Sequence, residues 1–282
     1  MSQSNIKVVL LSPSIGAELH GVDLSNPLSD SDFDKISRCL HEHLVIIFRD
    51  QILSPRQHRD FASLFFDLEP HPFVESVAGY PEIIAIVKEP SEYKNWGGPW
   101  HADVTFKEAP SIGAALYACE VPPCGGDTLF ANMYFAYEAL SKGLKSMLQT
   151  LRAVHYSGDP GRFYTDFKGM RPKSASVESA IHPVVRTHPV TGRKSLFVNR
   201  MYTRHFEGMT EEESRPLLEM LFDHAQRPEF TCRLHWRQRT LALWDNRVTL
   251  HHAMDDDFEA MRTGQGFRRV LHRATLAGQR PV

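Results

Sequence analysis

The sequence has little of what marks secreted, membrane-spanning or nucleic-acid-binding proteins. It contains four cysteines in 282 residues, and no two of them form a C-x-x-C pair. This argues against a zinc ribbon or a disulfide framework and fits a reducing compartment. No apolar run is long enough to cross a bilayer, and MSQSNIKVVL at the N-terminus lacks the pattern of a signal peptide. The formal net charge of −2 gives no bulk attraction to nucleic acid or to anionic membranes. We therefore expect a cytoplasmic protein that binds neither.

The composition is that of an ordinary globular protein, with 42% hydrophobic and 23% charged residues. No repeat and no linker divides the chain, so we predict one domain over residues 1–282. From about residue 100 onward, short strand-like runs such as SIGAALYACEV, DTLFANM and TLALWDN dominate. The fold class predicted from this pattern is mostly β with flanking helices.

Helical spacing and capping signals interrupt the strand-like runs. A helix is predicted over 29–43, and Ser54-Pro55 reads as an N-cap followed by proline in the first turn of a second helix. A third helix is predicted over 136–151. A fourth begins at Thr210, where Glu213 has the spacing of a capping box.

One long segment, residues 157–180, is rich in glycine, serine, proline and charge. A loop of this length inside a compact domain is commonly an active-site lid or disordered. We predict a lid there.

The stretch PWHADVTF places a histidine and an aspartate two positions apart in an apolar, β-branched run. On a strand, residues i and i+2 point to the same face, so His101 and Asp103 would project together. Two histidines and one carboxylate are the ligands that suit non-haem Fe(II) oxygenases, in which three coordination positions stay open. His251 or His252 in TLHHAM could supply the third ligand from a facing strand. The H-x-D triplet alone is a weak signal because it often occurs by chance.

Longer blocks around these residues strengthen the prediction. WHADVTF, CGGDTLFANMYFAYEALS, HPVVRTHPVTGRKSLFVN and WDNRVTLHHA followed by RRVLHRAT resemble the taurine dioxygenase/TfdA family. The N-terminal SIGAELHGVDLSNPLSD and VIIFRDQILSP are similar to it as well, so the resemblance covers nearly the whole chain in order. Members of this family are dioxygenases that depend on iron(II) and 2-oxoglutarate.

The resemblance implies a double-stranded β-helix of the jelly-roll or cupin type, and it implies Fe(II), 2-oxoglutarate and O2 as cofactor and cosubstrates. By the family pattern, His101, Asp103 and His251 are the catalytic metal ligands, and His252 is not one. Arg269 and the Thr128 hydroxyl are implied to hold the distal carboxylate of 2-oxoglutarate, since a guanidinium offers a bidentate fork for a carboxylate. Arg269 and Arg273 lie four apart in a strand-like run and would share a face.

The implied reaction couples decarboxylation of 2-oxoglutarate to succinate and CO2 with hydroxylation of a substrate. Relatives that halogenate replace the carboxylate ligand with a small residue, so Asp103 favours hydroxylation. In members that act on taurine, the equivalent of Arg273 meets the anionic head group, and His71 lies where a second anion contact would fall. We therefore expect a small anionic substrate bearing sulfonate, sulfate or carboxylate.

The remaining pocket positions differ from those of the taurine-hydroxylating members. Gly97 or Gly98 stands where those members carry an asparagine, and Phe73-Val74 stands where they have a tyrosine. Tyr202 falls near the position of a pocket phenylalanine. Two polar contacts that suit an aminosulfonate are missing, which predicts a bulkier and less polar anion such as an alkyl sulfate, an alkylsulfonate or an aryloxyalkanoate.

Two other classes use a similar ligand set. A cupin-like metal-binding protein without turnover and a zinc hydrolase with H-x-D…H are both alternatives. Neither explains a carboxylate clamp made by Arg269 and Thr128, and the hydrolase lacks an obvious general base beside the metal. A homo-oligomer, dimer or tetramer, is expected.

Overall fold

In this computed structural model the described residues are 4–70, 74, 76–92, 94–158 and 177–282. Strands make up most of their regular structure and helices lie at the periphery, which confirms the predicted mostly-β class. The strands are β1 (Lys7–Leu10), β2 (Ala17–His20), β3 (Val45–Phe48), β4 (Ser76–Val77), β5 (Tyr80–Lys88), β6 (Ser111–Glu120), β7 (Thr128–Asn132), β8 (Arg152–Tyr156), β9 (Ser179–Pro183), β10 (Val185–Thr187), β11 (Lys194–Leu196), β12 (Thr203–Phe206), β13 (Thr231–Leu234), β14 (Leu241–Asp245), β15 (Thr249–Ala253) and β16 (Arg269–Gly278). The helices are α1 (Asp30–His43), α2 (Pro55–Ser63), α3 (Met133–Glu138), α4 (Lys142–Leu148), α5 (Glu211–Ala225) and α6 (Phe258–Thr263), with a 3-10 turn at Pro228–Phe230.

The largest sheet has the strand order β1-β2-β3-β14-β6-β16-β5-β4. Neighbouring strands in it are antiparallel except for β2 and β3. A second sheet of three strands has the order β13-β7-β15, a third has the order β12-β8-β9, and β10 pairs with β11. The functional residues lie between the first two of these sheets.

Residue alternation along the central strands divides the core into two layers. In β14, Leu241 and Leu243 pack with the first layer, whereas Ala242 and Trp244 pack with the second. The first layer includes buried residues of α1 and α2 and covers the outer face of the large sheet. The second layer includes buried residues of β7 and β13 and lies between the two sheets. Each fully buried leucine contributes about 1.5–3 kcal/mol relative to exposure, so both faces stabilise the sheet.

The second sheet is covered on its far side by a third apolar layer. This layer joins residues of α3, α5 and β8 to Ala131 and Leu250, which lie on that face of β7 and β15. The second sheet is thus buried on both faces, and side chains that point from β15 toward the large sheet face into the molecule.

Helix starts agree with the capping signals in the sequence. Ser29 caps α1 by accepting a hydrogen bond from the Asp32 N–H, and Ser54 and Gln57 form a capping box at α2. Thr210 and Glu213 form a second capping box at α5. These side chains satisfy N–H groups that the first helical turn leaves without a partner.

The single helix predicted over 136–151 is wrong, because the chain forms the two short helices α3 and α4 there. Asn132 caps α3 by accepting from the Tyr134 and Phe135 N–H groups, so this helix begins earlier than predicted. Ser141 caps α4 by accepting from the Leu144 N–H. A serine hydroxyl competes for backbone N–H groups in this way and breaks a helix in two.

None of the helices in the described residues has both the length and the apolar character that a membrane span requires.

Candidate metal and cosubstrate site

Three buried side chains predicted as metal ligands converge between the largest sheet and the β13-β7-β15 sheet. His101 and His251 form an isolated antiparallel bridge, in which each backbone N–H donates to the other residue's carbonyl at 3.0 and 2.8 Å. Asp103 Oδ1 lies 3.8 Å from His101 Nε2 and 3.7 Å from His251 Nε2. Two metal–ligand bonds of roughly 2.1 Å span at most about 4.2 Å, so one ion can contact these atoms together.

Strand alternation separates His251 from its neighbour. His251 points to the cavity side of β15, whereas Leu250 packs in the third apolar layer on the other face. His252 shares the face of Leu250. Its Nδ1 lies 2.9 Å from the Gly98 carbonyl oxygen, and its ring packs near Trp100 with centroids 5.8 Å apart. The cluster therefore contains His251 and not His252.

The strand predicted for PWHADVTF is wrong after His101. Residues 103–106 form a turn, closed by a hydrogen bond from the Lys107 N–H to the Val104 carbonyl at 2.9 Å. Val104 has φ 46, a left-handed conformation that is unfavourable for a β-branched residue. Such strain persists only where the surroundings hold it. His101 and Asp103 still project together, but the turn rather than strand alternation directs the aspartate.

Buried polar side chains hold this turn through Thr105. The Thr105 hydroxyl oxygen lies 2.9 Å from His155 Nδ1 and accepts a hydrogen bond from Asn199 Nδ2 at 3.1 Å. The Thr105 carbonyl lies 2.9 Å from His182 Nε2. Three elements thus fix the strained turn from behind, which keeps Asp103 in place.

The histidine hydrogen bonds leave the metal-facing nitrogens available. His101 Nδ1 lies 2.8 Å from the Pro99 carbonyl, an acceptor, so Nδ1 carries the proton and Nε2 keeps its lone pair. His251 Nδ1 has no hydrogen-bond partner among the described residues. Burial lowers the pKa of His101, and it lowers the pKa of His251 well below the usual range. Neutral imidazoles with free Nε2 atoms fit a divalent metal.

The carboxylate of Asp103 is held on one oxygen and free on the other. Its Oδ2 accepts hydrogen bonds from Arg273 at 2.7 Å and from Asn246 Nδ2 at 2.6 Å. Burial alone would raise the pKa of Asp103, but the charge and hydrogen bond of Arg273, together with the two neighbouring histidines, outweigh it, and the pKa lies below the usual range. Asp103 is therefore ionised, and its Oδ1 is directed at the two imidazoles.

Arg269 is a buried guanidinium in the same cavity, and its Nε lacks a hydrogen-bond partner among the described residues. Burial lowers its pKa to about 10, against the opposing charges of Asp127 and Asp256. Those two carboxylates already accept hydrogen bonds from Arg233 at 2.6 and 3.2 Å. Burying a cation without close compensation is costly, so an anionic ligand fits here.

Thr128 and Gly126 complete the surroundings of Arg269. The Thr128 hydroxyl lines the cavity and accepts a hydrogen bond from Trp236 Nε1 at 3.0 Å, which leaves its own proton to donate. Gly126 has φ 68, and a Cβ on it would lie 3.2 Å from Arg269 Cδ. Glycine is therefore required beside this arginine.

One cavity joins these groups. The residues that line it are Ile86, Trp96, Gly97, His101, Asp103, Val104, Leu116, Thr128, Met201, Tyr202, Trp244, His251, Ala253, Arg269, Leu271, Arg273 and Thr275. Arg269 and Arg273 enter it from the same face of β16, with Leu271 between them, as the spacing predicts.

The predicted substrate contacts are found in different places. Gly97 and Tyr202 line the cavity, whereas Val74 packs against the second core layer and is not among the lining residues. His71 lies outside the described residues. Gly97 has φ 141, and a Cβ there would meet Ala253 Cβ at 3.2 Å, so Ala253 fills the space where a side chain at 97 would begin.

The Arg273 guanidinium pairs with Asp103 and also lies near two tryptophan rings. One of its terminal nitrogens donates to Asp103, while its Nε has no hydrogen-bond partner among the described residues. Its guanidinium carbon lies 5.8 Å from the ring centroids of both Trp96 and Trp244. A guanidinium has five N–H donors, so the pair with Asp103 leaves others for a ligand.

A second cluster of His41, His188 and Asp245 also has ligand-type atoms within 4.8 Å of one another. His188 Nε2 lies 3.0 Å from Asp245 Oδ2, and His188 Nδ1 accepts from the Thr191 N–H at 3.1 Å. Arg247 donates to both carboxylate oxygens of Asp245 at 2.8 and 2.6 Å. The ligand-type atoms of His188 and Asp245 are therefore engaged in hydrogen bonds.

The sequence prediction did not assign Trp244 or Asn246, although both belong to the WDNR block. Trp244 lines the cavity, and Asn246 donates to the metal-facing aspartate. The signal that could have located them is their position just before the strand that carries His251. The predicted lid at 157–180 falls largely on 159–176, outside the described residues, and β9 occupies its last two positions from Ser179.

The chain resembles known proteins over nearly its whole length. The sequence model described as "Taurine catabolism dioxygenase TauD, TfdA family" matches residues 7–275. An alpha-ketoglutarate-dependent sulfate ester dioxygenase from Pseudomonas putida is 34% identical over 280 residues, which cover 95% of this chain and 88% of that protein. An alpha-ketoglutarate-dependent 2,4-dichlorophenoxyacetate dioxygenase from Cupriavidus pinatubonensis is 34% identical over 282 residues, covering 94% and 95%.

A solved structure gives the same result for the fold. The crystal structure of a taurine dioxygenase from Burkholderia xenovorans superposes with a TM-score of 0.85 at 38% identity, covering 99% of this chain and 91% of that one.

Proposed function

Because the chain belongs to the TauD/TfdA family of taurine catabolism dioxygenases, we propose that it uses Fe(II), 2-oxoglutarate and O2 to hydroxylate a small organic anion. The relatives are named as alpha-ketoglutarate-dependent dioxygenases that act on sulfate esters or on an aryloxyacetate. The observation that carries the proposal is a buried His/Asp/His cluster that shares one cavity with two buried arginines. The cupin-like and zinc-hydrolase alternatives are not favoured, since neither requires the arginines.

In the proposed site, His101, Asp103 and His251 hold Fe(II) through His101 Nε2, Asp103 Oδ1 and His251 Nε2. The support is that these atoms face one another, while the other side of Asp103 and of His101 is occupied by hydrogen bonds. When bound, Fe(II) with 2-oxoglutarate and O2 supplies the oxidative chemistry that yields succinate, CO2 and a hydroxylated substrate. The protein's part is to orient the ligands and to exclude water.

Arg269 and Thr128 are proposed to bind the distal carboxylate of 2-oxoglutarate. Arg269 is a buried cation whose Nε has no hydrogen-bond partner in the part of the chain that the structure describes, and the Thr128 hydroxyl has a proton to donate. Both groups line the cavity that contains the metal ligands. A carboxylate placed between them would compensate the buried charge and satisfy both donors.

Arg273 is proposed to hold the substrate's anionic head group through the donors that Asp103 does not use. The surrounding wall is largely apolar and includes Val104, Leu116 and Met201. Gly97 does not by itself widen the cavity, because Ala253 occupies the space in front of it. The apolar wall supports a substrate that is bulkier and less polar than taurine, such as an alkyl sulfate, an alkylsulfonate or an aryloxyalkanoate.

The finer features of the proposal are a double-stranded β-helix, a single domain over residues 1–282, a cytoplasmic location and a dimer or tetramer. The packing of two largely antiparallel sheets around the site supports the β-helix. All four cysteines are free thiols, in keeping with a reducing compartment. Light scattering coupled to size exclusion measures the oligomeric state, and a monomer at micromolar concentration would contradict that part.

Two measurements test the proposed function. Anaerobic addition of Fe(II) and 2-oxoglutarate should give a weak visible charge-transfer band, which zinc proteins do not show. A panel of sulfates, sulfonates and carboxylates, scored by succinate release and O2 uptake, should favour medium-chain or aromatic anions over taurine. Faster turnover of taurine than of the other anions would contradict the proposed preference for bulkier, less polar substrates. Turnover confined to neutral or cationic compounds would contradict the role of Arg273.

A further inference from the structure

The side chain of Asn246 connects the turn after β14 to the metal-facing aspartate. Its Nδ2 donates to Asp103 Oδ2 at 2.6 Å, and its Oδ1 accepts a hydrogen bond from Trp244 Nε1 at 2.8 Å. An indole N–H is only a donor, so the asparagine oxygen must face Trp244 and the asparagine NH₂ must face Asp103. The two hydrogen bonds therefore run in one direction, from Trp244 through Asn246 to Asp103.

The backbone fixes the base of this chain. The Asn246 N–H donates to the Ile112 carbonyl at 2.9 Å, and the preceding Asp245 N–H donates to the Leu44 carbonyl at 3.0 Å. Asn246 is 2% exposed and Trp244 is also 2% exposed, so water does not compete for these hydrogen bonds. Asn246 cannot turn away from Asp103 without leaving a buried polar group unsatisfied, which costs free energy.

The turn holds the backbone of Asp103, but it does not set the rotation of the carboxylate. Asp103 lies in the turn 103–106 with a left-handed Val104, where no ladder of strand hydrogen bonds determines the carboxylate's rotation. The two donors on Oδ2, from Asn246 and Arg273, therefore set which oxygen faces the histidines. Arg273 lines the cavity and is assigned to the substrate, whereas the Asn246 side chain bonds to Asp103 and Trp244.

We propose that Asn246 is a positioning residue, oriented by Trp244, that holds the Asp103 carboxylate so that Oδ1 alone faces His101 and His251. This inference rests on the proposed function, since it assigns the triad to a metal. Held in this way, Asp103 offers one oxygen and leaves the open side of the metal for 2-oxoglutarate and O2. A carboxylate free to rotate would present its second oxygen to the metal and occupy a position the reaction needs.

The test is metal affinity without cosubstrate, measured with Mn²⁺ by the loss of the free-ion electron paramagnetic resonance signal. Asn246→Ala should bind Mn²⁺ roughly 10–100-fold more weakly than the wild-type protein, the range typical of residues that orient a metal ligand. Asn132→Ala is the matched control. Asn132 is equally buried at 2% and its side chain also bonds on both sides, to Ser14 and Tyr134, which are not members of the triad. It should leave the Mn²⁺ affinity unchanged.

A double-mutant cycle tests whether Trp244 acts on metal binding through Asn246. Trp244→Phe keeps a ring but removes the N–H that orients Asn246, so it should weaken Mn²⁺ binding by a smaller factor than Asn246→Ala. In the Asn246→Ala background the same substitution should have no further effect. Equal factors in both backgrounds would show that Trp244 does not act through Asn246 and would overturn the inference. Trp244→Phe also serves as the test if Asn246→Ala does not fold.

Failure of the proposed function and failure of the role of Asn246 would give different results. If the wild-type protein binds no Mn²⁺ and His101→Ala behaves the same, the proposed function fails. If the wild-type protein binds one Mn²⁺ that His101→Ala loses, but Asn246→Ala binds as tightly as Asn132→Ala, only the role of Asn246 is overturned.

Discussion

Two clusters in this chain contain two histidines and one aspartate with ligand-type atoms within 4.8 Å, but their hydrogen bonding differs. In the first, Asp103 Oδ2 accepts from Asn246 and Arg273, and Oδ1 faces two imidazole Nε2 atoms at 3.8 and 3.7 Å. In the second, both oxygens of Asp245 accept from Arg247, and one is also bonded to His188. The first cluster thus directs one carboxylate oxygen at two imidazole nitrogens, whereas in the second Asp245 and His188 are engaged in hydrogen bonds with each other, with Arg247 and with Thr191.

The two clusters have the same residue types and differ in which lone pairs accept hydrogen bonds. The first is suited to bind a metal, and the second acts as a structural anchor. The side-chain bonds of Asp245 hold the turn that begins at the end of β14, and the next residue in that turn is Asn246. The anchor therefore supports the residue that orients Asp103. Substitutions in the first cluster should act mainly on metal binding, whereas substitutions in the second should act mainly on stability.

The largest effect is expected from the first cluster. His101→Ala, Asp103→Ala and His251→Ala should each abolish Fe(II)-dependent turnover and reduce metal affinity by more than the roughly 100-fold upper range for outer residues. Two remaining ligands hold too few positions on the metal. Isothermal titration with Mn²⁺ and succinate release measure the two effects. An active His251→Ala together with an inactive His252→Ala would reverse the assignment within TLHHAM.

The second cluster should lose stability instead. Asp245→Ala removes one partner of a buried ion pair and leaves Arg247 and His188 without their acceptor, which costs about 3–5 kcal/mol of unfolding free energy. Urea denaturation measures this loss. The folded fraction should still bind metal at the first cluster. Loss of metal binding with unchanged stability would identify the second cluster as the metal site.

A smaller effect is expected at the cosubstrate end of the cavity. Arg269→Ala should weaken 2-oxoglutarate binding by about 2–5 kcal/mol, because one side of a desolvated charge pair is truncated. Thr128→Ala should cost less, about 0.5–1.5 kcal/mol for one hydrogen bond. Titration of the anaerobic charge-transfer band measures both constants, and unchanged 2-oxoglutarate affinity in Arg269→Ala would remove that residue from the site.

The smallest effect is expected from the neighbour of the third ligand. His252→Ala should keep most of the activity and the metal affinity, since its ring lies on the other face of β15, with Nδ1 2.9 Å from the Gly98 carbonyl oxygen. The change should lower the unfolding free energy by about 0.5–1.5 kcal/mol, the contribution of a single hydrogen bond. Thermal unfolding compared with succinate release separates the two effects.

The sequence was sufficient for features that depend on local rules. The alternation in β16 correctly predicted that Arg269 and Arg273 point to one face, and the capping signals correctly predicted where α2 and α5 begin. Local rules failed where distant residues decide the conformation. Asp103 lies in a turn and not a strand because His155, His182 and Asn199, all distant in sequence, hold Thr105.

Long-range hydrogen bonds also explain the residues that were missed. Asn246 reaches across 143 positions of the chain to Asp103, and no periodicity in the sequence encodes that contact. The same holds for the second cluster, where His188 and Asp245 are 57 positions apart. Composition would assign both clusters to metal, and only the hydrogen bonds distinguish them.

The most direct test of this distinction is a crystal of the protein soaked with Mn²⁺ in the absence of O2 and examined by anomalous scattering. A single anomalous peak is expected between His101 Nε2, Asp103 Oδ1 and His251 Nε2, with no peak beside His41, His188 and Asp245. A peak at the second cluster, or none at the first, would contradict the account.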